Sequence, residues 1–291
     1  NGRVYALGHE GRDADLQELV VCLDETSGEL LWERRFNDFL SDSVYTRYAI
    51  GSPTIDPETG NVFVTTTPGL FMALTPDGET IWEHDLMGEF GRLTFPNGRT
   101  GAAAVDGDLV IVHAITAHWG PQGPAADRFY AFDKHTGACV WSSTPGTRPY
   151  DSSFSMPVLE WRGGRRVLYA TTGCGNVVGI DARLGDPLWR FDLSKAGMSS
   201  SVVLHGDRVS ALNGKWNCDT STIGRMVAIR AGAEPEAGKP GPVVLGADRE
   251  LWRNALVAFT SSPIVVGDRV YATGATGELA CVDATTGKVL W

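Results

Sequence analysis

The side chains best suited to chemistry sit in long polar connections between apolar runs. Arg47 and Tyr48 close "NDFLSDSVYTRYAIG" (37–51), and Arg92 and Arg99 lie in "LMGEFGRLTFPNGRTG" (86–101). His118 and Trp119 share the Gly/Pro-rich "AITAHWGPQGPAAD" (114–127), Tyr150 and Asp151 precede another apolar run, and Lys215 and Trp216 stand beside Cys218 in "NGKWNCDTSTIG" (213–224). A solvated turn has no need of large rings beside guanidinium and ammonium groups. Together they suit a carboxylate, a sugar or a peptide, with the rings supplying contact area and the cations orientation. A tryptophan in such a loop can equally serve to pack the loop onto the body, and both readings stay open for Trp119 and Trp216.

Other chemistries find little support. No G-x-S-x-G elbow and no H-E-x-x-H pair occurs, and the six histidines are scattered, with His118 alone in the long connections. The five cysteines form no C-x-x-C pair, so neither a zinc nor a thioredoxin-like site is indicated, and no metal site is expected. Asp42, Asp151 and Asp219 are loop carboxylates, but they fall at no matching positions. Net charge is -10 with no basic run, which argues against nucleic acid and anionic membrane surfaces as partners. No apolar stretch is long enough to span a bilayer, and no signal peptide is visible. The opening "NGRVYALG" reads as the middle of a hairpin, so more sequence is expected before it.

The elements that must position these loops announce themselves by repetition. "CLDETSGELLW" (22–32), "AFDKHTGACVW" (131–141), "GIDARLGDPLW" (179–189) and "CVDATTGKVLW" (281–291) are one phrase, and "ALTPDGETIW" (73–82) is the same phrase one residue shorter. A sixth copy opens at Ala228 and closes at Trp252 around an insertion, 231–249, whose Pro, Gly and Ala content reads as a flexible surface excursion. The six tryptophans are Trp32, Trp82, Trp141, Trp189, Trp252 and Trp291, spaced 39 to 63 residues apart. The shortest spacing is close to one unit of four strands.

Within the last full copy, four short apolar runs alternate with "GDR", "GATGE" and "DATTG". That pattern predicts an antiparallel meander with tight turns. The Asp of the phrase accepts backbone N–H groups, and the Gly supplies a positive φ. The Trp comes down on the outer strand, covering the small residue ten positions back and packing on the next unit. Such a sheet buries little alone. Radial stacking buries both faces, so the fold class is all-β, a β-propeller of four-stranded antiparallel blades formed as a single domain over 1–291.

If strands A to D run from axis to rim, the A–B and C–D turns are short and share one face, apart from the 231–249 insertion. The B–C and D–A connections share the other face and include all the long loops named above. Loops on a rigid scaffold are where binding usually sits, so that face is expected to carry the partner. Cys174 and Cys218 fall in the B–C connections of successive units and could form a disulfide, which would suit an extracytoplasmic location.

The phrase Ala-x-Asp-x-x-Thr-Gly-x-x-x-Trp resembles the tryptophan-docking repeat of the pyrroloquinoline-quinone-type propellers. The resemblance covers nearly the whole chain, and four copies keep both Asp and Gly at full spacing. It implies closure with about seven or eight blades in the parent protein and a periplasmic or secreted bacterial setting. The family includes cofactor-free assembly lipoproteins and quinone-dependent dehydrogenases. The first reading implied is therefore a non-catalytic scaffold that binds a protein, peptide or glycan and needs no cofactor. The alternative is an alcohol or sugar dehydrogenase using pyrroloquinoline quinone and Ca²⁺, and a further one is a propeller-type polysaccharide lyase or hydrolase. The adjacent Cys-Cys pair common in such dehydrogenases does not occur here.

Overall fold

The computed structural model describes residues 2–37, 51–93, 101–117, 125–232, 235 and 241–291. The chain divides into two compact units: Asn1–Ala125 with Phe129–Ser142, and Ala126–Arg128 with Ser143–Trp291.

Three antiparallel sheets lie in the first unit, apart from Ala126–Arg128 and Ser143 at the strand ends of sheet three. Sheet one is three-stranded (Arg3–Glu10, Gln17–Asp24, Leu30–Asn37), and sheet two is four-stranded (Thr54–Ile55, Val62–Thr65, Leu70–Leu74, Thr80–Asp85). Sheet three comprises Ala104–Asp106, Leu109–Ala117, Ala126–Asp133 and Cys139–Ser143, with the short strand Arg92–Leu93 added beside Leu109–Ala117. In the second unit, sheet four is Val158–Arg162, Arg165–Thr171, Asn176–Asp181 and Pro187–Asp192. Sheet five is Val203–His205, Arg208–Trp216, Ile223–Arg230 and Glu250–Asn254. Sheet six is Ile264–Val266, Arg269–Thr273 and Leu279–Asp283, with Val289 bridging to Val282.

Within each unit the sheets stack face to face. Val20, Tyr5 and Trp32 of sheet one meet Val62, Val64 and Met72 of sheet two. Tyr169 and Trp189 of sheet four meet Val209, Val227 and Ile229 of sheet five. Middle strands therefore have two buried faces. Every residue of Val62–Thr65 and of Asn176–Asp181 is buried, which explains why these strands read as continuous apolar runs rather than alternating ones.

The repeated phrase builds one device. Its Asp accepts the N–H groups two and three residues on: Asp133 Oδ1 from His135 (3.0 Å) and Thr136 (2.8 Å), and Asp283 Oδ1 from Thr285 (3.1 Å) and Thr286 (2.9 Å). These bonds, that from the Thr136 or Thr286 amide foremost, hold both carboxyls below their ordinary pKa. The tryptophan stands cross-strand from the small residue, as in Cys22 with Trp32, Ala73 with Trp82 and Ala228 with Trp252. In the copies of Trp32, Trp82 and Trp252 the ring then lies on the turn glycine of the next sheet and the indole N–H bonds a carbonyl of that turn, whereas the buried Trp141 indole N–H has no hydrogen-bond partner among the described residues. Trp82 donates to Lys134 O (3.0 Å) and Trp252 to Ala284 O (3.1 Å), and Gly137 and Gly287 lie under the respective rings.

Two features depart from the sequence reading. The 231–249 insertion is not simply an excursion: Val243–Leu245 forms a fifth strand on sheet four, parallel to Pro187–Asp192, with Val243 opposite Trp189. Leu245 is buried against the cluster that holds Trp189, so this strand covers the ring on the rim of sheet four. Trp189 is accordingly more buried than its counterparts (1% exposed against 8–9% for Trp82, Trp141 and Trp252). Gly179 stands where other copies hold Ala or Cys because a Cβ there would lie 2.5 Å from the Trp189 ring.

The second departure is an ion pair. Lys134, inside the turn of sheet three, is buried and reaches Asp56 (2.8 Å) and Glu58 (2.6 Å) of sheet two.

Candidate partner-binding surface

On the B–C and D–A side of the second unit, the tip of the sheet-five hairpin presents an ordered group of exposed side chains. Arg208–Trp216 and Ile223–Arg230 run on to a cross-strand pair, Trp216 with Ile223. Two glycines below that pair let the following D–A connection lie flat across the hairpin. A Cβ at Gly214 would come within 2.4 Å of the Phe259 ring, and one at Gly224 within 2.6 Å of Val257. The connection is pinned from the other side by Ala275 N–H, which donates to Val257 O (2.8 Å). Trp216, Ile223 and Phe259 remain 56%, 57% and 48% exposed, and the Lys215 ammonium sits over the Phe259 ring at 5.6 Å.

The backbone beneath is rigid. Asn213 Oδ1 accepts the Arg225 N–H (2.7 Å), its amide reaches Asn217 Oδ1 (3.1 Å), and Asn217 Nδ2 donates to Thr222 O (2.9 Å). Both asparagines are buried, so these bonds replace water that cannot enter. The Trp216 carbonyl accepts from Lys195 N–H (2.8 Å) and Ser194 Oγ (3.2 Å) in the connection after sheet four. The loop carboxylate Asp219 is held by Arg225 and by Arg253 (2.9 Å). Partial burial raises its pKa, but the Arg225 and Arg253 hydrogen bonds outweigh this and leave the carboxyl below its ordinary value. A carboxylate clamped by two guanidiniums is a poor proton acceptor.

Other residues expected to act turn out to brace the loops. Asp151 Oδ1 accepts the Ser152 N–H (2.8 Å). The hydroxyls at the inner-strand starts link successive sheets: Ser201 Oγ accepts Met156 N–H (2.7 Å), and Ser262 Oγ accepts Ser201 N–H (3.0 Å). The disulfide expected between Cys174 and Cys218 does not form, and all five cysteines are free thiols. Cys174 is buried and its Sγ donates to Thr147 O (2.9 Å), while Cys218 is held by its N–H on Leu193 O (3.1 Å). Burial, helped by the nearby Asp127 carboxylate, pushes the Cys174 thiol up to about 12. Asp127 itself is fully buried and accepts the Gly173 N–H (2.8 Å), a brace with no local pattern to announce it.

Of the remaining expected residues, Arg47, Tyr48, Arg99, His118 and Trp119 lie outside the described residues, as does Asp42. Arg92 is described in its backbone alone, paired with Ala117. Lys215 and Trp216 are brought together with Ile223, Phe259 and Lys195, which sequence reasoning did not single out. Gly214 and Gly224, each two residues from an exposed apolar side chain or next to one, were the available signal. Among the described residues, no three His, Cys, Asp or Glu side chains converge to hold a metal ion.

Comparison with known proteins places these sheets. The model of the family described as outer membrane protein assembly factor BamB matches residues 16–233 and 242–291. The BamB of Shewanella oneidensis is 25% identical, over 97% of this chain and 82% of its own length. Among solved structures, BamB from Moraxella catarrhalis superposes with a TM-score of 0.61 at 18% identity, covering 98% of this chain and 72% of that one. A quinohemoprotein alcohol dehydrogenase from Pseudomonas putida HK5 gives 0.67 at 13% identity, covering 100% of this chain and 57% of that one. Both solved structures are β-propellers, and the antiparallel sheets described above are blades of that fold.

Proposed function

The chain belongs to the outer membrane protein assembly factor BamB family, and we propose that it is a non-catalytic binding propeller whose partner, a protein, docks on the B–C and D–A loop face. The observation that carries this is the contrast between backbone and side chains at the sheet-five tip. Its main chain is fixed by buried asparagines, while its rings face solvent. Pre-ordered aromatic groups on a rigid scaffold lose little entropy on binding. The setting is extracytoplasmic, in keeping with a family named for the outer membrane.

The dehydrogenase fold-relative raises the question of quinone and Ca²⁺. The donor set does not fit such a group. Asp219 is committed to two arginines, Asp151 caps its own loop, and the Ser201 and Ser262 hydroxyls are engaged by backbone N–H groups. Among the described residues, none supports a quinone site, or a lyase or hydrolase over a binder.

Site-specific photocrosslinkers test the reading in cells expressing the full-length protein. Placed at Tyr150 or Ile223 on the loop face, they should give protein adducts. At Leu184, in a C–D turn of the opposite face, they should give few. Equal yields on both faces, or adducts at Leu184 alone, would refute it.

A further inference from the structure

The charges around the sheet-five tip are unevenly matched. Its arginines are paired: Arg225 and Arg253 share Asp219, and Arg253 also holds Glu250 (2.7 Å). Its lysines are not. Among the described residues, neither Lys195 nor Lys215 has a carboxylate within ion-pair distance. Lys134, by contrast, is fully enclosed by two. Two lysines without an ion-pair partner among the described residues thus border the Trp216, Ile223 and Phe259 platform, Lys215 with its ammonium over the Phe259 ring and Lys195 through its backbone, on a chain of net charge -10. Lys195 is tied to the spot by its own N–H on the Trp216 carbonyl (2.8 Å), and Lys215 adjoins Trp216 in sequence.

From this juxtaposition we propose that the platform is the docking site for an extended, acidic polypeptide segment with apolar anchors. The anchors lie on Trp216 and Phe259, and carboxylates answer Lys195 and Lys215. The proposal rests on the reading of the loop face as a partner surface and names the chemistry of the partner. Aromatic side chains are the usual energetic centre of such contacts, and flanking charges set orientation and encounter rate. A contiguous exposed apolar group bordered by polar residues marks such sites. The paired arginines explain why the preference is for a few carboxylates rather than a dense polyanion: among the described residues of this tip, the two lysines have charge to offer.

The probe is a labelled peptide of about a dozen residues alternating aspartate with leucine and phenylalanine, titrated by fluorescence anisotropy against the full-length protein. A control peptide carries lysine in place of each aspartate. The acidic peptide should bind saturably, weaken as salt rises to roughly 0.5 M, and exceed the control. Trp216→Ala should weaken binding about 30-fold, the size of an interface hot spot, and Lys215→Glu by at least about 10-fold. Because both side chains are exposed, these variants should melt as the parent does. No saturable binding, equal binding of the control peptide, or unchanged affinity in both variants would overturn the proposal. So would displacement by a neutral oligosaccharide without salt dependence, which would assign the platform to a glycan. Photocrosslinks that persist at Tyr150 while Trp216→Ala has no effect would sink this site and leave the loop-face reading standing.

Discussion

Replacing the turn glycines one at a time separates the docking of a tryptophan from the conformation of its turn. Gly137 and Gly28 occupy the same place in the same phrase, in the same unit, at nearly the same backbone angle (φ +76° and +72°). Both turns carry the Asp-to-amide bonds, so an alanine at either costs about 1–2 kcal/mol for the left-handed conformation, less ~0.4–1 kcal/mol returned by the stiffer unfolded chain. They differ in what lies above. A Cβ on Gly28 meets nothing within 4 Å, whereas one on Gly137 would sit 2.8 Å from Trp82 Cγ. Trp82 cannot retreat easily, because its indole N–H is bonded to Lys134 O (3.0 Å) and its ring packs on Phe71 (5.4 Å between centroids) and Phe132 (6.1 Å). Overpacking of this kind costs about 1–3 kcal/mol. Gly137→Ala should therefore lose about 2–4 kcal/mol and Gly28→Ala about 1 kcal/mol or less. Urea unfolding followed by far-UV circular dichroism reads both. In a Trp82→Ala background, the cost of Gly137→Ala should fall to that of Gly28→Ala. Equal costs for the two glycines in the parent, or no change in the cycle, would refute the docking argument.

Four further outcomes follow from the same structure. Lys134→Ala should destabilise by about 3–5 kcal/mol because it strands the buried Asp56 carboxylate, and adding Asp56→Asn should restore part of the loss in thermal melts. Burial raises the Asp56 pKa, but the Lys134, Thr59 and Glu58 hydrogen bonds outweigh it and hold the carboxyl below its ordinary value. The pair's contribution is thus present above that ordinary value and lost as pH falls through the lowered one, so the parent's melting temperature should drop in acid more steeply than that of the double variant. Thiol titration without reductant should count five reactive groups after denaturation, with Cys174 protected in the native protein at pH 8; a count of three would restore the Cys174–Cys218 disulfide. Leu245→Ala should cost about 2–4 kcal/mol in chemical unfolding, whereas a truly flexible insertion would tolerate it at under about 0.5 kcal/mol.

The sequence by itself determined the blade. Six copies of one phrase fixed the strands, the Asp-capped turns and the place of each tryptophan, because these depend on contacts a few residues apart and on one repeated neighbour. It also identified the face with the long loops, since strand alternation alone decides which turns share an end. Only the tertiary structure decided what those loops do. Asp219, Ser201 and Ser262 are chemically able groups engaged by Arg253, Met156 and Ser201, and partners 34 to 61 residues away leave no local pattern. The insertion's Val243–Leu245 reads as surplus until its place beside Trp189 is seen, because a parallel partner over 50 residues away has no turn to announce it. Trp216 shows the same division. Its type and loop were plain in the chain, but its exposure depends on Gly214, Gly224 and Phe259 meeting across two connections, and that meeting exists only in the folded blade.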